Sequence, residues 1–329
     1  FNETCAAVGN VFFNWRMFLR YRDAKFLDVA EIALYNNVLA GMNLRGDRFF
    51  YINPLAADGF RPFNHGRPER SPWFGTACCP TNIARLIPQV PGMLFATDDE
   101  GLTLCLYAAS RTTAKLGGVT TEIVEETRYP FDGRVDVQLR PERPAKFTVR
   151  LRVPTWTGQQ FVPGKLYRFA EETRGTTDDQ PVQLFVNEKP VDFKTERGFA
   201  TVEREWSAGD RLRLELPMPV RASVCREEVA ADRGRVAISR GPLIYCAESA
   251  HNAGHVYNYL IQPQIALASA RLAPTAVAGH DGPGIVLEAE ALEGDGELSP
   301  APLVLVPYYA WNNRGVGSMA VWLPENEST

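Results

Sequence analysis

The sequence predicts a multidomain protein that is helical over roughly its first 95 residues and all-β after them, with antiparallel β-sandwiches. Between residues 5 and 45, apolar side chains recur every three to four positions, which is typical of amphipathic helices. From Leu102 onward, apolar and polar residues alternate with a period of two, and turn residues interrupt the alternation at short intervals. The turn-rich segment 96–101 separates the two patterns, so we place a domain boundary there.

Composition and charge exclude several classes of protein. The chain has 329 residues, 45% of them apolar and 22% charged, as in ordinary globular proteins. The net charge of −4 and the scattered arginines predict no nucleic-acid partner. No apolar stretch is long enough to span a membrane, so no membrane partner is expected either. Six cysteines in a chain of this length do not indicate a secreted disulfide scaffold, and a cytoplasmic location is expected.

The helical region predicts a hairpin of two helices. The polar residues 20–23 break the periodic pattern, and Gly41 and Asn43 fit the end of the second helix. Two helices with this much aromatic surface cannot bury it alone. The sequence also lacks an initiator methionine and a signal-type segment at residues 1–3. We therefore expect it to be the C-terminal part of a longer protein.

A long connection, residues 46–77, follows the hairpin. Loops of this length are usually functional or disordered, and the aromatic content of this one argues against disorder. Tyr51, His65 and Trp73 are its candidates for contact with a ligand. Packing accounts for each of them at least as well as contact, and an exposed loop position is favoured for His65.

The adjacent cysteines Cys78 and Cys79 precede Pro80, a residue that favours the first turn of a helix. A helix beginning at Pro80 would place Cys79 at the N-cap and Cys78 just before it. The N-terminus of a helix stabilises negative charge and lowers the pKa of a nearby thiol. Together with Glu3 and Cys5, these thiols make a chemically suitable set of four zinc ligands.

The cysteines also fit roles in which they bind no metal. The long separation between Cys5 and Cys78 matches no zinc finger, knuckle or ribbon, and free cysteines are often small buried hydrophobic residues. From spacing alone, inert packing is favoured over metal binding. A strained disulfide between Cys78 and Cys79 is a further alternative.

The β region contains regularly alternating segments separated by turns. The polar and aromatic run 308–315 could bind a sugar, but packing between domains accounts for it better. No phosphate loop, Ser/His/Asp pattern or internal repeat is present in the sequence. The predicted strands lie at residues 102–107, 135–139, 147–153, 211–216, 236–239, 243–246, 285–289, 303–306 and 319–323.

Several motifs, in order from the first residues to the last strand, carry a family resemblance. They are Glu3-Thr4-Cys5-Ala6, Asn53-Pro54-Leu55, Cys78-Cys79-Pro80 with Asn82-Ile83-Ala84-Arg85-Leu86, Arg240-Gly241-Pro242-Leu243-Ile244-Tyr245-Cys246, and residues 307–314. Together they resemble the β-L-arabinofuranosidases of glycoside hydrolase family 127.

The resemblance implies a fold and a domain order. Residues 1–95 would be the last helices of an (α/α) toroid catalytic domain, including its zinc site. Residues 96–220 would form a first antiparallel β-sandwich, which the final strand, 318–324, would rejoin. Residues 221–317 would form a second sandwich.

The resemblance also implies a site. Zinc would be held by one glutamate, Glu3, and three cysteines, Cys5, Cys78 and Cys79. Cys78 would be the nucleophile, and Tyr51 and Glu3 would contact the substrate. The acid/base glutamate of the family would lie upstream of residue 1, so the resemblance implies an incomplete active site in this sequence.

The leading hypothesis is a retaining exo-glycosidase that hydrolyses β-L-arabinofuranosides with a zinc-bound cysteine nucleophile. Its partner would be a small oligosaccharide or glycan containing L-arabinofuranose, and a homodimer is possible. One alternative is a non-catalytic glycan-binding or scaffolding β-sandwich module with a structural zinc site. Another is a thiol-redox protein that uses a bond between Cys78 and Cys79.

Overall fold

The helices lie mainly in the first quarter of the chain. The computed structural model describes residues 2–170, 180–275, 277, 279–294 and 296–326. None of the described helices has the length and apolar character that a membrane span requires. The α-helices are α1 (Thr4–Tyr21), α2 (Ala24–Ala33), α3 (Cys78–Leu86) and α4 (Pro263–Ser269); a π-helix spans Leu34–Val38, and short 3-10 helices span Ile87–Met93, Thr155–Thr157, Val256–Asn258 and Tyr308–Ala310.

Helices α1 and α2 form the predicted hairpin. Arg22 adopts a left-handed conformation (φ 54°) and its N–H donates to the carbonyl of Phe18, which ends α1. The side chain of Asp23 accepts a hydrogen bond from the N–H of Lys25 and caps α2. These two residues form the polar break that the sequence indicates.

The π-helix that continues α2 was not predicted, and it fixes the helices to the C-terminal sheet. Asn36 lies in this segment and is buried. Its amide donates to the carbonyl of Pro242 (2.8 Å) and accepts from the N–H of Ile244 (2.7 Å). The motif 240–246 therefore contains the backbone groups that form hydrogen bonds with Asn36.

The strands occupy most of the remaining chain. They are β1 (Ala56–Ala57), β2 (Phe95–Thr97), β3 (Gly101–Leu104), β4 (Ser110–Leu116), β5 (Val119–Thr127), β6 (Arg134–Pro141), β7 (Ala145–Arg152), β8 (Tyr167–Phe169), β9 (Gln183–Val186), β10 (Lys189–Pro190), β11 (Thr195–Glu196), β12 (Phe199–Trp206), β13 (Arg211–Glu215), β14 (Val220–Cys225), β15 (Arg235–Arg240), β16 (Leu243–Glu248), β17 (Tyr259–Leu260), β18 (Arg271–Pro274), β19 (Pro283–Leu292), β20 (Leu298–Pro307), β21 (Met319–Ala320) and β22 (Trp322–Pro324).

Two sheets share the core of the middle region. One has the order β11-β12-β7-β3-β2 and the other β10-β9-β13-β6-β5-β4. Val149 of β7, Val137 of β6 and Leu212 of β13 belong to the same buried cluster. One pair departs from the antiparallel expectation, because β3 runs parallel to β7.

The third sheet has 11 strands among the described residues and includes β21 and β22. The sequence-based expectation that residues 318–324 return to the first sandwich is wrong. Strand β21 pairs with β1 and β16, and β22 pairs with β15. The alternating pattern identifies a strand but not its partner. The expected domain boundaries near residues 95 and 220 stay predictions.

The long connection packs against this third sheet. Phe50 is fully buried and its ring stacks on that of Trp311 at 5.1 Å between centroids. The buried guanidinium of Arg70 lies over Phe50 and donates to the carbonyls of Ala40 (2.8 Å) and Trp311 (2.6 Å). The run 308–315 thus contributes packing between regions of the chain, as the sequence favoured.

Candidate active site and metal centre

Backbone pairing with residues 51–53 of the long connection holds residues 2–4 at the site. Glu3 forms an antiparallel bridge with Ile52. The N–H of Thr4 donates to the carbonyl of Tyr51 (3.0 Å), and that of Asn53 donates to Asn2 (2.8 Å). This short ladder places the side chains of Glu3 and Tyr51 beside the first turn of α1, which carries Cys5.

The side chain of Asn53 stabilises this ladder. It is fully buried, and its amide nitrogen donates hydrogen bonds to two neighbours. It donates to Thr4 Oγ1 (2.8 Å) and to Asn37 Oδ1 (2.8 Å). Asn37 in turn donates to Asn2 Oδ1 (2.6 Å). The asparagine of the Asn53-Pro54 motif therefore supports the segment that carries Glu3 and Cys5.

Helix α3 supplies the other two sulfurs. It begins at Cys78, two residues earlier than predicted, with Ala77 at the N-cap and Pro80 still in the first turn. The N–H groups of Cys78 and Cys79 belong to the first turn, where the backbone dipoles favour negative charge. Ile83 of α3 shares a buried cluster with Val8 of α1, which brings the cysteines of both helices together.

The four predicted metal ligands converge. One ligand atom from each of Glu3, Cys5, Cys78 and Cys79 lies within 4.8 Å of every other. The Cys79 sulfur lies 3.2 Å from that of Cys5 and 4.0 Å from that of Cys78. The Oε1 atom of Glu3 lies 3.9 Å from both Cys78 and Cys79.

These separations suit a single zinc ion. In tetrahedral geometry with Zn–S bonds of about 2.3 Å, two sulfurs are about 3.8 Å apart and a sulfur and a carboxylate oxygen about 3.6 Å. The two sulfur–sulfur distances, 3.2 and 4.0 Å, lie on either side of the first value, and both sulfur–oxygen distances, 3.9 Å, are slightly longer than the second. Thiolates and carboxylate are also the ligand types that zinc accepts. The described cluster could therefore hold a metal ion.

The thiol of Cys78 differs from its neighbours in its environment. It is half-buried, and its sulfur lies 3.1 Å from the hydroxyl oxygen of Tyr51. A hydrogen bond from that hydroxyl to the thiolate lowers the pKa of Cys78, against the opposing effect of desolvation. The same contact raises the pKa of Tyr51.

The pKa values of the other two thiols are shifted in the opposite direction. Burial raises the pKa of Cys79 well above its ordinary value, and burial also raises the pKa of Cys5. The amide of Asn82 donates to the Cys5 sulfur (3.1 Å) and partly offsets that increase. A bound cation would reverse the preference of both thiols, because metal ligation requires the thiolate.

The three loop candidates occupy different positions. Tyr51 lies at the cluster, whereas Trp73 is 59% exposed. His65 is exposed, as expected, but its ring also packs on that of Tyr51 at 4.3 Å between centroids. Sequence reasoning missed this contact and the roles of Asn53 and Asn82. Only the motif positions of the two asparagines offered a signal, and nothing in the sequence marked the packing of His65.

Three family models match successive parts of the chain. Residues 1–92 match the GH127 catalytic domain of β-L-arabinofuranosidase. Residues 101–218 match its GH127 middle domain, and residues 220–324 match the glycoside hydrolase family 127 C-terminal domain. The chain belongs to glycoside hydrolase family 127.

Relatives in family 127 resemble the chain over nearly all of its length. A non-reducing end β-L-arabinofuranosidase of Bifidobacterium longum subsp. longum is 33% identical over 98% of this chain and 49% of its own length. A solved GH127 β-arabinofuranosidase superposes with a TM-score of 0.88 at 35% identity, over 98% of this chain and 49% of its own. A GH127 β-L-arabinofuranosidase from Geobacillus stearothermophilus T6 gives 0.86 at 32% identity, over 98% and 50%. The chain thus spans about half the length of these relatives.

Proposed function

We propose that this protein is a retaining exo-glycosidase that releases L-arabinofuranose from β-linked glycans, with Cys78 as its nucleophile. The observation that carries the proposal is the convergence of Glu3, Cys5, Cys78 and Cys79 on one point, with the Tyr51 hydroxyl at the Cys78 sulfur. Membership of family 127 supports the reaction class, and the name of the Bifidobacterium relative supports the sugar and attack at the non-reducing end.

We propose zinc as the ion that these residues hold. Glu3, Cys5, Cys78 and Cys79 would be its four ligands, because the separations of their donor atoms agree with tetrahedral zinc. When bound, zinc supplies positive charge that keeps the Cys78 sulfur ionised near neutral pH. Hydrogen bonds from Tyr51 and Asn82 then orient the sulfurs of Cys78 and Cys5.

The proposed reaction has two displacements at the anomeric carbon. In the first, the Cys78 sulfur forms a bond to that carbon, the glycosidic C–O bond breaks, and the leaving oxygen takes a proton from an acid/base group. In the second, water replaces the sulfur, its proton goes to the same acid/base group, and the original configuration is restored. The resemblance to family 127 implies a glutamate in this acid/base role, and we assign the role to none of the residues named above.

The finer features of the fold are part of this proposal. The helices of residues 1–95 would belong to an (α/α) toroid, and the sheets to two β-sandwiches that support it. The TM-scores against family 127 structures support this arrangement. The cytoplasmic location and a homodimer stay predictions.

A single assay tests the nucleophile. The full-length protein and its Cys78→Ala variant are compared on p-nitrophenyl β-L-arabinofuranoside, with the anomer of the first product followed by NMR. We expect wild type to release the β-anomer and Cys78→Ala to lose at least about a thousandfold in kcat, as expected when a covalent nucleophile is removed.

Matched controls separate the possible outcomes. Cys225→Ala changes another half-buried thiol, on β14, and should leave kcat unchanged. Metal analysis of purified wild type should give one zinc per chain, and Cys79→Ser should lower it. If Cys78→Ala retains activity, Cys78 is not the nucleophile. If purified wild type is active without metal, zinc is not needed for the reaction.

A further inference from the structure

His65 occupies a turn that fixes its direction. Asn64 and Arg67 exchange backbone hydrogen bonds of 2.8 and 3.2 Å, and the two residues between them have positive φ angles, 50° at His65 and 85° at Gly66. This is the two-residue turn of type I′, in which asparagine or glycine is the usual first central residue. A histidine in this left-handed conformation is uncommon and points to a use for its side chain.

The turn is anchored to the strand that carries Tyr51. Asn64 is fully buried, and its side-chain oxygen accepts from the N–H of Tyr51 (2.7 Å). Its amide nitrogen donates to the carbonyls of Phe49 (3.2 Å) and Glu69 (2.9 Å). Asn64 therefore fixes the backbone of His65 relative to Tyr51.

The imidazole of His65 packs against two aromatic rings. Its ring centroid lies 4.3 Å from that of Tyr51 and 5.5 Å from that of Phe74. The Tyr51 hydroxyl lies 3.1 Å from the Cys78 sulfur. His65 is exposed, and neither ring nitrogen makes a hydrogen bond with any residue that the structure describes. The imidazole of this exposed residue therefore packs on the tyrosine that contacts the proposed nucleophile and has no hydrogen-bond partner among the described residues.

We propose that His65 is a substrate-contacting residue whose imidazole nitrogens hydrogen-bond hydroxyl groups of the sugar next to Cys78. The identity of this sugar rests on the proposed function. Sugar hydroxyls require paired donors and acceptors at fixed positions, and a neutral imidazole offers one of each. The anchored turn holds these groups in place before the ligand arrives, which limits the entropy lost on binding.

Two variants separate contact with the sugar from support of Tyr51. His65→Phe keeps an aromatic ring against Tyr51 and Phe74 but removes both nitrogens. His65→Gly suits the positive φ and removes the ring altogether. In the zinc-loaded full-length protein, we expect His65→Phe to raise KM for p-nitrophenyl β-L-arabinofuranoside about tenfold, as for a lost hydrogen bond to a ligand, with kcat within about threefold. A KM within about twofold of wild type would overturn the proposal.

A second readout does not depend on hydrolysis. Iodoacetamide alkylates Cys78, and L-arabinose bound beside it should slow that reaction in wild type but much less in His65→Phe. The rate of Cys78 alkylation without sugar is also measured in His65→Gly and His65→Phe. A change in His65→Gly but not in His65→Phe would show that the ring supports Tyr51. Any loss of sugar protection in His65→Phe would then be due to the missing nitrogens. Sugar protection that is equal in wild type and His65→Phe, or absent in wild type, contradicts the proposal.

The same readout separates this proposal from the one on function. A wild type that hydrolyses no arabinofuranoside, but is protected by L-arabinose in a His65-dependent way, would refute the enzyme activity and keep the sugar contact. If wild type hydrolyses the arabinofuranoside and KM is unchanged in His65→Phe, the enzyme activity is kept and the sugar contact is refuted.

Discussion

Asn82 and Cys5 show how a residue outside the ligand set can govern the candidate metal centre. The Asn82 amide donates to the Cys5 sulfur at 3.1 Å, although the two residues lie on different helices. Such a bond favours the thiolate and holds the sulfur in one orientation. Residues that orient metal ligands in this way typically contribute a factor of about 10 to 100 in metal affinity.

We therefore expect Asn82→Ala to weaken zinc binding by about 10-fold to 100-fold, with little effect on the fold. Competition with a chromogenic chelator measures the change. Gln89→Ala, at an exposed position on the 3-10 helix after α3, is the control and should match wild type. Equal zinc affinity in the two variants would contradict the role assigned to Asn82.

The buried carboxyl group of Glu125 should make the stability of the protein depend on pH. It is 1% exposed on β5, accepts a hydrogen bond from the N–H of Ala108, and forms no ion pair with a described residue. Burial raises the pKa of Glu125 from 4.5 to about 8. Between these values the folded state keeps a proton that the unfolded state has lost, so stability falls as pH rises, by up to about 1.4 kcal/mol per pH unit.

Glu125→Gln should remove this slope, because the amide stays neutral at every pH. Its free energy of unfolding should exceed that of wild type increasingly from pH 5 to pH 8, as measured by urea denaturation at several pH values. The neighbouring Glu126 is exposed, and Glu126→Gln should reproduce the wild-type profile. Parallel profiles of wild type and Glu125→Gln would show that Glu125 is ionised in the folded protein.

At the scale of elements, the sequence predicted the helices better than their ends. The polar break at Arg22 and Asp23 identified the hairpin, because left-handed and N-cap positions have strong residue preferences. The start of α3 at Cys78 was two residues earlier than predicted, since a proline is tolerated throughout the first turn. The π-helix depends on a tertiary contact of Asn36, which no local pattern reveals.

The same limit applies to the candidate site. Spacing alone favoured inert packing of the three cysteines, and only the family resemblance predicted that Glu3, Cys5, Cys78 and Cys79 converge. The geometry depends on how residues 2–4 pair with residues 51–53. This pairing joins segments far apart in the sequence and is supported by a buried asparagine.

Asn53→Ala tests that support. The substitution removes the donor to Thr4 Oγ1 and Asn37 Oδ1, which should cost about 1–3 kcal/mol in the free energy of unfolding. Zinc affinity should fall as well, because Glu3 and Cys5 flank Thr4. Urea denaturation and chelator competition measure the two effects. Asn10→Ala, at an exposed site on α1, should change both by little, and a wild-type zinc affinity in Asn53→Ala would separate the network from the site.

At the scale of the whole molecule, a buried ion cluster joins the helices to the middle sheets. Arg152 of β7 is fully buried and donates to Asp28 Oδ1 (2.6 Å) and to both carboxylate oxygens of Glu31, all from α2. Tyr129 also donates to Glu31 (2.6 Å). Periodicity places these residues on a strand and a helix but cannot pair them, just as it could not assign β22 to β15.

Arg152→Met should cost about 3–5 kcal/mol in the free energy of unfolding, because two carboxyl groups lose their buried cation. The cost should grow with pH. Burial raises the pKa of Asp28 and Arg152 opposes that increase, so Asp28 in the variant would retain its proton at higher pH than in wild type. A group whose folded pKa is raised destabilises the folded state as pH rises through the interval between its unfolded and folded pKa values.

Arg150→Met, two residues earlier on β7, is the matched control. Arg150 pairs with Asp98 and Glu100 at the surface, and such pairs contribute about 0–1 kcal/mol. Urea denaturation at pH 5 and pH 8 distinguishes the two arginines. Equal losses in both variants, or a loss in Arg152→Met that does not increase with pH, would mean that apolar contacts rather than the ion cluster hold α2 against β7.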